Sequence, residues 1–253
     1  MTMLDRGALA LPVLLCLSYV GPAAAQDEKK PEVFVDSTYQ VCDLNGQDRA
    51  DEIFGQADKP VLDKLVADGT IKSYGYNAHN TGGRWRRVQY FSAPSVGELL
   101  AAQEKMSAAF DADPKNKKLG DEYAKICNAH DDYIWHRISG TTGTAAPGGA
   151  GFSTYYVCDS RESQADALAQ AVYAPILDKM VADGKLKTCG WMEHVVGGNF
   201  RRLATMTAAD VPTLMAARGE LIASLEDNDL GDLFSDICDS HADYIWEVRY
   251  SNP

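Results

Sequence analysis

The sequence lacks the excess of basic residues that nucleic acids and anionic membranes attract. Its 253 residues include 24 lysines and arginines against 36 aspartates and glutamates, for a formal net charge of −12 at pH 7. This charge repels phosphate backbones and lipid headgroups, so neither nucleic acid nor a membrane surface is predicted as a partner. The composition, 45% hydrophobic and 24% charged, is that of a globular protein.

Common catalytic motifs are missing too. The chain contains no G-x-x-x-x-G-K-[ST], no H-E-x-x-H and no G-x-S-x-G sequence. Beyond the N-terminus it also has no apolar segment long enough to cross a bilayer. The function must therefore be sought in other patterns.

The first 25 residues have the pattern of a signal peptide. Residues 8–20 are almost uninterruptedly apolar, and the small residues Ala23, Ala24 and Ala25 supply a cleavage site after Ala25. The apolar stretch is too short for a hydrocarbon core of ~30 Å. We predict an exported protein, periplasmic or secreted, with no membrane partner after cleavage.

The rest of the chain contains two similar halves. Residues 37–43 resemble 153–159, residues 62–69 resemble 177–184, and residues 130–135 resemble 241–246. The offset between the halves changes only where loops are expected, which indicates a tandem duplication. Residues 140–151, rich in Gly, Thr, Ala and Pro, have the composition of a linker. The predicted domains are 33–139 and 152–251.

Each half is predicted to be a β-α-β-β-α-(α)-β unit. In the first half, strands are expected at 33–43, 71–79, 84–91 and 133–138, with helices at 48–68, 95–110 and 119–129. Pro60 and Pro175 are expected to kink or restart the first helix of each half. This is the ferredoxin-like order. Because one such sheet leaves a face uncovered, we expect an α+β fold with two tandem ferredoxin-like repeats packed as a pseudo-dimeric barrel.

Such a pair of units, with the stretch Pro-x-Leu-Asp-Lys-x-Val-x-Asp-Gly at 60–69 and 175–184, resembles the dimeric α+β barrel superfamily. That superfamily includes antibiotic-biosynthesis-type monooxygenases, NIPSNAP-like proteins and stress-responsive barrel domains. The resemblance implies two sheets packed face to face, and members of the superfamily often hold a small ligand or haem within the barrel. No catalytic residue of the superfamily can be matched to a position in this chain.

Polar residues present in both halves are the candidates for a site. Around a turn at Gly82-Gly83, His79 and Arg86 fall on one face of a hairpin, and His194 and Arg201 repeat this arrangement. An imidazole beside a guanidinium can bind an oxyanion, or act as a neutral base whose pKa the adjacent charge lowers. The alternative is a solvated polar hairpin tip.

The opposite face of each hairpin is apolar and is expected to pack under the helices. It comprises Tyr74, Tyr76, Trp85 and Phe91, with Cys189, Trp191, Phe200 and Met206 in the second half. The His–Arg face would then point into the barrel, where Gly75 marks the close approach of a ligand or a backbone. Arg87 and Arg202 fall on the apolar face, against this assignment.

The longest polar and aromatic match between the halves lies near the end of each. Its candidate ligand-binding residues are His130, Tyr133 and Trp135, with His241, Tyr244 and Trp246 as counterparts. They could form an aromatic wall and a titratable histidine beside a small molecule. The alternative is a helix-to-strand junction in which the histidine bonds backbone groups and the rings are core.

Five cysteines follow the cleavage site. Cys42 ends the first predicted strand and Cys127 precedes the last, and these strands are neighbours in a ferredoxin-like sheet. Export favours oxidation, so the predicted disulfides are Cys42–Cys127 and Cys158–Cys238, with Cys189 free. The rivals are buried thiols and a metal site of Cys42, Cys127 and His130, which lacks a fourth ligand.

Three functions remain open. The first is an exported barrel that binds a small, anionic molecule in a lumen lined by the two His–Arg pairs, with cofactor-independent catalysis as an option. The second is a non-catalytic structural or interaction protein, and the third is a haem or metal protein using the paired histidines. We favour the first, and predict no cofactor, no metal site and no particular oligomeric state.

Overall fold

The computed structural model describes residues 31–141, 145–226 and 228–252, so the signal peptide predicted at 1–25 lies outside the described residues. The strands are β1 Phe34–Cys42, β2 Ser73–Thr81, β3 Arg87–Ala93, β4 Cys127–Gly140, β5 Ala150–Val157, β6 Thr188–Val196, β7 Arg202–Ala208 and β8 Ser240–Asn252. The helices are α1 Gln47–Ala67, α2 Val96–Asp111, α3 Pro114–Ile126, α4 Glu162–Leu168, α5 Ala174–Ala182, α6 Val211–Ala223 and α7 Asp229–Ile237. Within these ranges, no helix combines the length and apolar character needed to span a bilayer.

The strands close into one antiparallel barrel in the order β1-β3-β2-β8-β5-β7-β6-β4. Each half contributes four consecutive strands of the ring, and the halves join where β2 pairs with β8 and β4 pairs with β6. The helices cover the outside of the barrel, where α1 and α2 pack on the outer face of β2 and β3. The predicted α+β barrel is confirmed.

The first helix differs between the halves. In the first half, α1 is continuous through Pro60 and buries an apolar stripe that includes Ile53, Phe54 and Leu62. In the second half, a π-helical turn at Ala169–Tyr173 separates α4 from α5 just before Pro175. The predicted break is therefore present before Pro175 and wrong at Pro60, and the missing N–H, which both prolines share, does not by itself account for the difference.

Strand β4 begins earlier than predicted. It starts at Cys127 instead of residue 133, so His130 lies within the strand, opposite Gln40 of β1. The helix-to-strand junction expected at His130 is therefore wrong. Pairing with the full length of β1 and the adjacent disulfide extend the strand at this end.

The barrel interior is filled by four corresponding pairs of aromatic side chains. They are Tyr39 and Tyr155, Trp85 and Phe200, Tyr133 and Tyr244, and Trp135 and Trp246. The prediction that Trp85 and Phe200 pack under the helices is wrong. Because β3 begins only at Arg87, Trp85 is free of the strand alternation, and its ring stacks on Tyr39 at 4.4 Å and on Tyr244 at 5.0 Å.

Arg87 and Arg202 do lie under the helices, and they are paired there. The Arg87 guanidinium donates to the carboxylate of Asp51 in α1. Arg202 donates to Asp166 and Glu162 in α4. Both arginine side chains are 3% exposed, so the helix carboxylates offset the cost of burying these charges.

Both predicted disulfides are present, Cys42–Cys127 and Cys158–Cys238, and Cys189 is a buried free thiol. The bonded sulfurs of Cys42 and Cys127 offer no thiolates, which removes the rival metal site with His130. Across the described ranges, no cluster of three or more His, Cys, Asp or Glu side chains could hold a metal ion.

Candidate functional site

The two predicted His–Arg pairs form as expected. Strands β2 and β3 have the register that places His79 opposite Arg86, and Arg86 Nη1 lies 3.0 Å from His79 Nδ1. In the second half, Arg201 Nη1 lies 2.9 Å from His194 Nδ1. Burial and, secondarily, the neighbouring Arg86 charge lower the pKa of His79, which favours the neutral imidazole.

Each pair meets aromatic residues from the other half of the chain. The His79 ring lies edge-on to Tyr244 and Trp246, with centroid distances of 6.3 and 6.2 Å. The His194 ring meets Tyr133 and Trp135 in the same way, each at 6.1 Å. The structure therefore brings eight of the predicted residues together in two clusters at the hairpin end of the barrel.

His130 and His241 are not part of these clusters. Their side chains are 57% and 51% exposed, and they face Asp132 and Asp243 on the outside of the barrel. Strand alternation explains this position, because Tyr133 and Trp135 point into the barrel and an even-numbered residue on β4 points outward.

The strand glycine Gly75 makes room for a side chain of the protein itself. A Cβ atom at Gly75 would lie 2.3 Å from the ring of Tyr90, its partner on β3. The close neighbour of Gly75 is therefore the Tyr90 side chain, and not the ligand or backbone that was predicted.

A cavity of about 110 Å³ occupies the opposite end of the barrel, where β1, β2, β5 and β6 begin. Tyr39, Tyr155 and Trp246 line it from the aromatic core, and Thr141 and Ala145 line it beside the linker. Its remaining lining includes Ser37, Ser73, Asn77, Tyr90, Ser92, Arg137, Ser153, Thr188, Met192, Leu203, Thr205 and Thr207. The four residues of the His–Arg pairs do not line this cavity.

Three buried polar atoms of the cavity lining have no hydrogen-bond partner within the described residues: Arg137 Nε, Asn77 Oδ1 and Trp246 Nε1. Nearby hydroxyls are satisfied by one another, as in the Ser73–Ser92 pair at 2.7 Å. Because unpaired buried polar atoms are rare in folded proteins, three in one cavity indicate a place for bound molecules.

Arg137 is the charged group of this cavity. In the part of the chain that the structure describes, no carboxylate lies within ion-pair distance of its guanidinium, unlike those of the buried Arg87 and Arg202. Burial lowers the pKa of Arg137. Burial also raises the pKa of the neighbouring Tyr90 to about 12, against the opposing effect of the Arg137 charge, so its phenol is neutral.

Arg137, Asn77 and Tyr90 are not among the site residues that the sequence predicts, because they are not shared by the two halves. Their counterparts in the second half are Val248, Met192 and Thr205. A signal was nevertheless present: Asn77 and Arg137 are polar residues at inward-facing strand positions whose counterparts are apolar.

A larger cavity, of about 320 Å³, lies outside the barrel in the second half, between the sheet and helices α5, α6 and α7. Trp191 and Phe234 line it, with His241 and Asp243 among its polar groups. Asp243 Oδ1 is buried there without a partner in the described residues.

The closed barrel, with helices outside it, places the chain in the fold class of the dimeric α+β barrels.

No protein-family model matches the sequence, and neither does a curated protein. Among solved structures, a candidate monooxygenase from Lactobacillus acidophilus is similar with a TM-score of 0.59, 10% identity and coverage of 87% of this chain and 95% of that one. A candidate monooxygenase from Fusobacterium nucleatum has a TM-score of 0.56 at 6% identity, covering 87% and 94%. An anthrone oxidase-like protein has a TM-score of 0.52 at 10% identity, covering 88% and 94%. At these identities the likeness shows the fold.

Proposed function

We propose that this protein is an exported α+β barrel protein that binds an anionic small molecule inside the barrel. The observation that carries the proposal is the Arg137 guanidinium, which faces the interior cavity without a carboxylate partner among the described residues. The Arg137 side chain is partly buried and its Nε is fully so, and a charge that is withdrawn from water without a partner is unfavourable. A bound anion would supply the missing partner.

The cavity sets the size of the ligand. An engineered cavity of roughly 150 Å³ holds benzene, and the interior cavity here measures about 110 Å³. The space is smaller than that cavity, so a short-chain acid fits it best, and benzoate, which is larger than benzene, tests its upper limit. Hydroxyl groups of the lining are hydrogen-bonded to one another, as in the pair Thr188–Thr207 at 2.7 Å. Arg137 is therefore the principal group left to bind a ligand.

Binding, without catalysis, is the proposed activity. No carboxylate, histidine or lysine belongs to the described lining of the cavity. Burial raises the pKa of the Cys189 thiol and of the Tyr90 phenol, so these groups of the lining are protonated near pH 7 and are not poised to act as general bases. The ligand roles predicted for the two His–Arg pairs stay predictions that Arg86→Ala and His79→Ala would test. Those predicted for His130 and His241 stay predictions as well.

Three further parts of the proposal concern the whole chain. Two disulfides are typical of an exported protein, which supports export, and cleavage after Ala25 is part of the proposal. Matching pairs of strands, turns and aromatic residues support a tandem duplication. We place its two domains at 33–139 and 152–251, joined by a linker at 140–151. The similar solved structures that are described as monooxygenases support the proposal that a protein of this fold binds a small molecule.

The test is titration calorimetry of the full mature chain with benzoate, butyrate and inorganic phosphate. Arg137→Met should weaken carboxylate binding by about 10- to 150-fold, because a charge-assisted hydrogen bond is worth about 1.5–3 kcal/mol. Without ligand, the variant should melt at the same or a higher temperature, since an unpaired and partly buried charge has been removed. Arg249→Met, at a 45% exposed side chain, is the control.

Two results would overturn the proposal. One is a wild-type protein that binds none of the three anions. The other is an Arg137→Met variant that binds them as tightly as the wild type, or that loses stability without ligand, since a structural arginine would behave in that way.

A further inference from the structure

We infer that the interior site takes a small hydroxycarboxylic acid, with its carboxylate on Arg137 and its hydroxyl between Asn77 and Trp246. This inference rests on the proposed function and adds the chemical class of the ligand. It starts from the two unpaired atoms that Arg137 does not explain, Asn77 Oδ1 and Trp246 Nε1.

The indole of Trp246 differs from its counterpart in the first half. Trp135 Nε1 donates a hydrogen bond of 3.3 Å to the hydroxyl of Tyr39. Trp246 Nε1 is equally buried but has no acceptor among the described residues. The two halves are otherwise closely matched around these rings, so the free donor of Trp246 is specific to the side of the barrel that borders the cavity.

Asn77 lies on the strand next to Trp246. It is paired with Val248 of β8, while Trp246 is paired with His79 of β2. Asn77 and Trp246 both line the cavity, and each has one buried polar atom without a partner in the described residues, an acceptor on Asn77 and a donor on Trp246. A hydroxyl group is the smallest group that donates to an amide oxygen and accepts from an indole N–H at the same time.

Arg137 approaches the cavity from the other side. Its strand β4 is four places from β8 in the ring of eight, so Arg137 and Trp246 face each other across the barrel. A ligand that satisfies all three residues therefore carries its carboxylate and its hydroxyl at opposite ends.

Other end groups fit less well. An ammonium group cannot accept from Trp246 and would bring a second positive charge into the cavity that holds Arg137. A ketone or a second carboxylate cannot donate to Asn77 Oδ1. An alkyl group would leave both polar atoms unpaired, which costs affinity.

The inference is tested with matched acids on the full mature chain: 4-hydroxybenzoate against 4-methylbenzoate, and 4-hydroxybutyrate against pentanoate. Within at least one pair, the hydroxy acid should bind at least about tenfold more tightly, because sites built around a substrate hydroxyl discriminate strongly against its absence. Asn77→Met, which introduces the residue of the second half at this position, should reduce this preference to within about threefold while carboxylates still bind. Trp246→Phe, which keeps a ring in the core, should reduce it as well.

The outcomes separate the two proposals. If carboxylates bind and depend on Arg137 but neither pair shows a preference, the hydroxycarboxylate inference is overturned and the proposed function stands. The same holds if the preference survives in both Asn77→Met and Trp246→Phe. If no carboxylate binds the wild-type protein, both proposals fall. Melting curves of the variants show whether each one is folded.

Discussion

At the scale of single residues, the two halves differ at the buried carboxylate of Asp36. Asp36 on β1 is 5% exposed and accepts a hydrogen bond of 2.6 Å from Gln103 of α2. The second half has Phe152 at this position, with Arg218 over its ring at 4.6 Å. Burial, and secondarily the charge of Asp132, raise the pKa of Asp36 to about 6. The same position is therefore titratable in one half and apolar in the other.

Asp36→Asn should make the protein more stable at pH 7. The pKa of Asp36 rises from 3.8 to about 6 on folding. Between these values the folded state holds more protons, so the free energy of unfolding falls as pH rises through this window. The variant has no carboxyl group at this position, so its free energy of unfolding does not fall in this way. It should be about 1–3 kcal/mol more stable than wild type at pH 7, and nearly equal to it at pH 4.

Urea unfolding of both proteins at pH 4 and pH 7 measures this difference. Asp121→Asn, at a 63% exposed carboxylate, is the matched control and should change the free energy of unfolding little at either pH. An Asp36→Asn protein that is less stable than wild type at pH 7 would show that the ionised carboxylate is needed by the fold.

At the scale of elements, the hairpins depend on their glycine pairs in two ways. Gly82 has a φ of +136°, and a Cβ there would lie 2.6 Å from the backbone oxygen of Asp243. Gly197 in the second hairpin has a φ of +139°, and a Cβ would lie 2.5 Å from the ring of Tyr133. Each turn therefore needs glycine for its conformation and for its contact with the other half.

Gly82→Ala should destabilise the protein by at least about 1–3 kcal/mol, the usual cost of one strained backbone residue. Gly120→Ala is the contrasting variant, because Gly120 lies within α3 and no atom would meet its Cβ within 4 Å. It should gain about 0.5–1 kcal/mol. Thermal melts show whether Gly82→Ala lowers and Gly120→Ala raises the stability of the protein. A Gly82→Ala variant as stable as the wild type would contradict the contact with β8.

These elements also show what the sequence can predict. The hairpin register and the disulfides follow from local turn chemistry and from strand neighbours, so the pairs His79–Arg86 and Cys42–Cys127 could be placed before the structure was known. Trp85 could not, because it lies outside the strand that would have fixed its direction. Arg137 could not either, since its importance depends on which groups surround it in three dimensions.

At the scale of the whole molecule, the barrel is closed only by contacts between the halves. In isolation, residues 31–141 would keep the sheet β2-β3-β1-β4 and leave both of its edge strands unpaired. Those edges are the surfaces that pair with β8 and β6 in the full chain. The face that carries Tyr39, Tyr133 and Trp135 would also lose its cover. Unpaired edges and an exposed aromatic face favour association.

Residues 31–141 expressed alone should therefore dimerise or unfold, and should regain a stable fold when mixed with residues 145–252. Light scattering after size-exclusion chromatography measures the mass, and thermal melts measure the stability. The control is the full chain with a protease site in place of residues 142–144: after cleavage its halves should stay together, because the pairing of β2 with β8 and of β4 with β6 is intact. A first half that is monomeric and melts at the temperature of the full chain would show that the barrel contacts contribute little, and that each half is an independent domain.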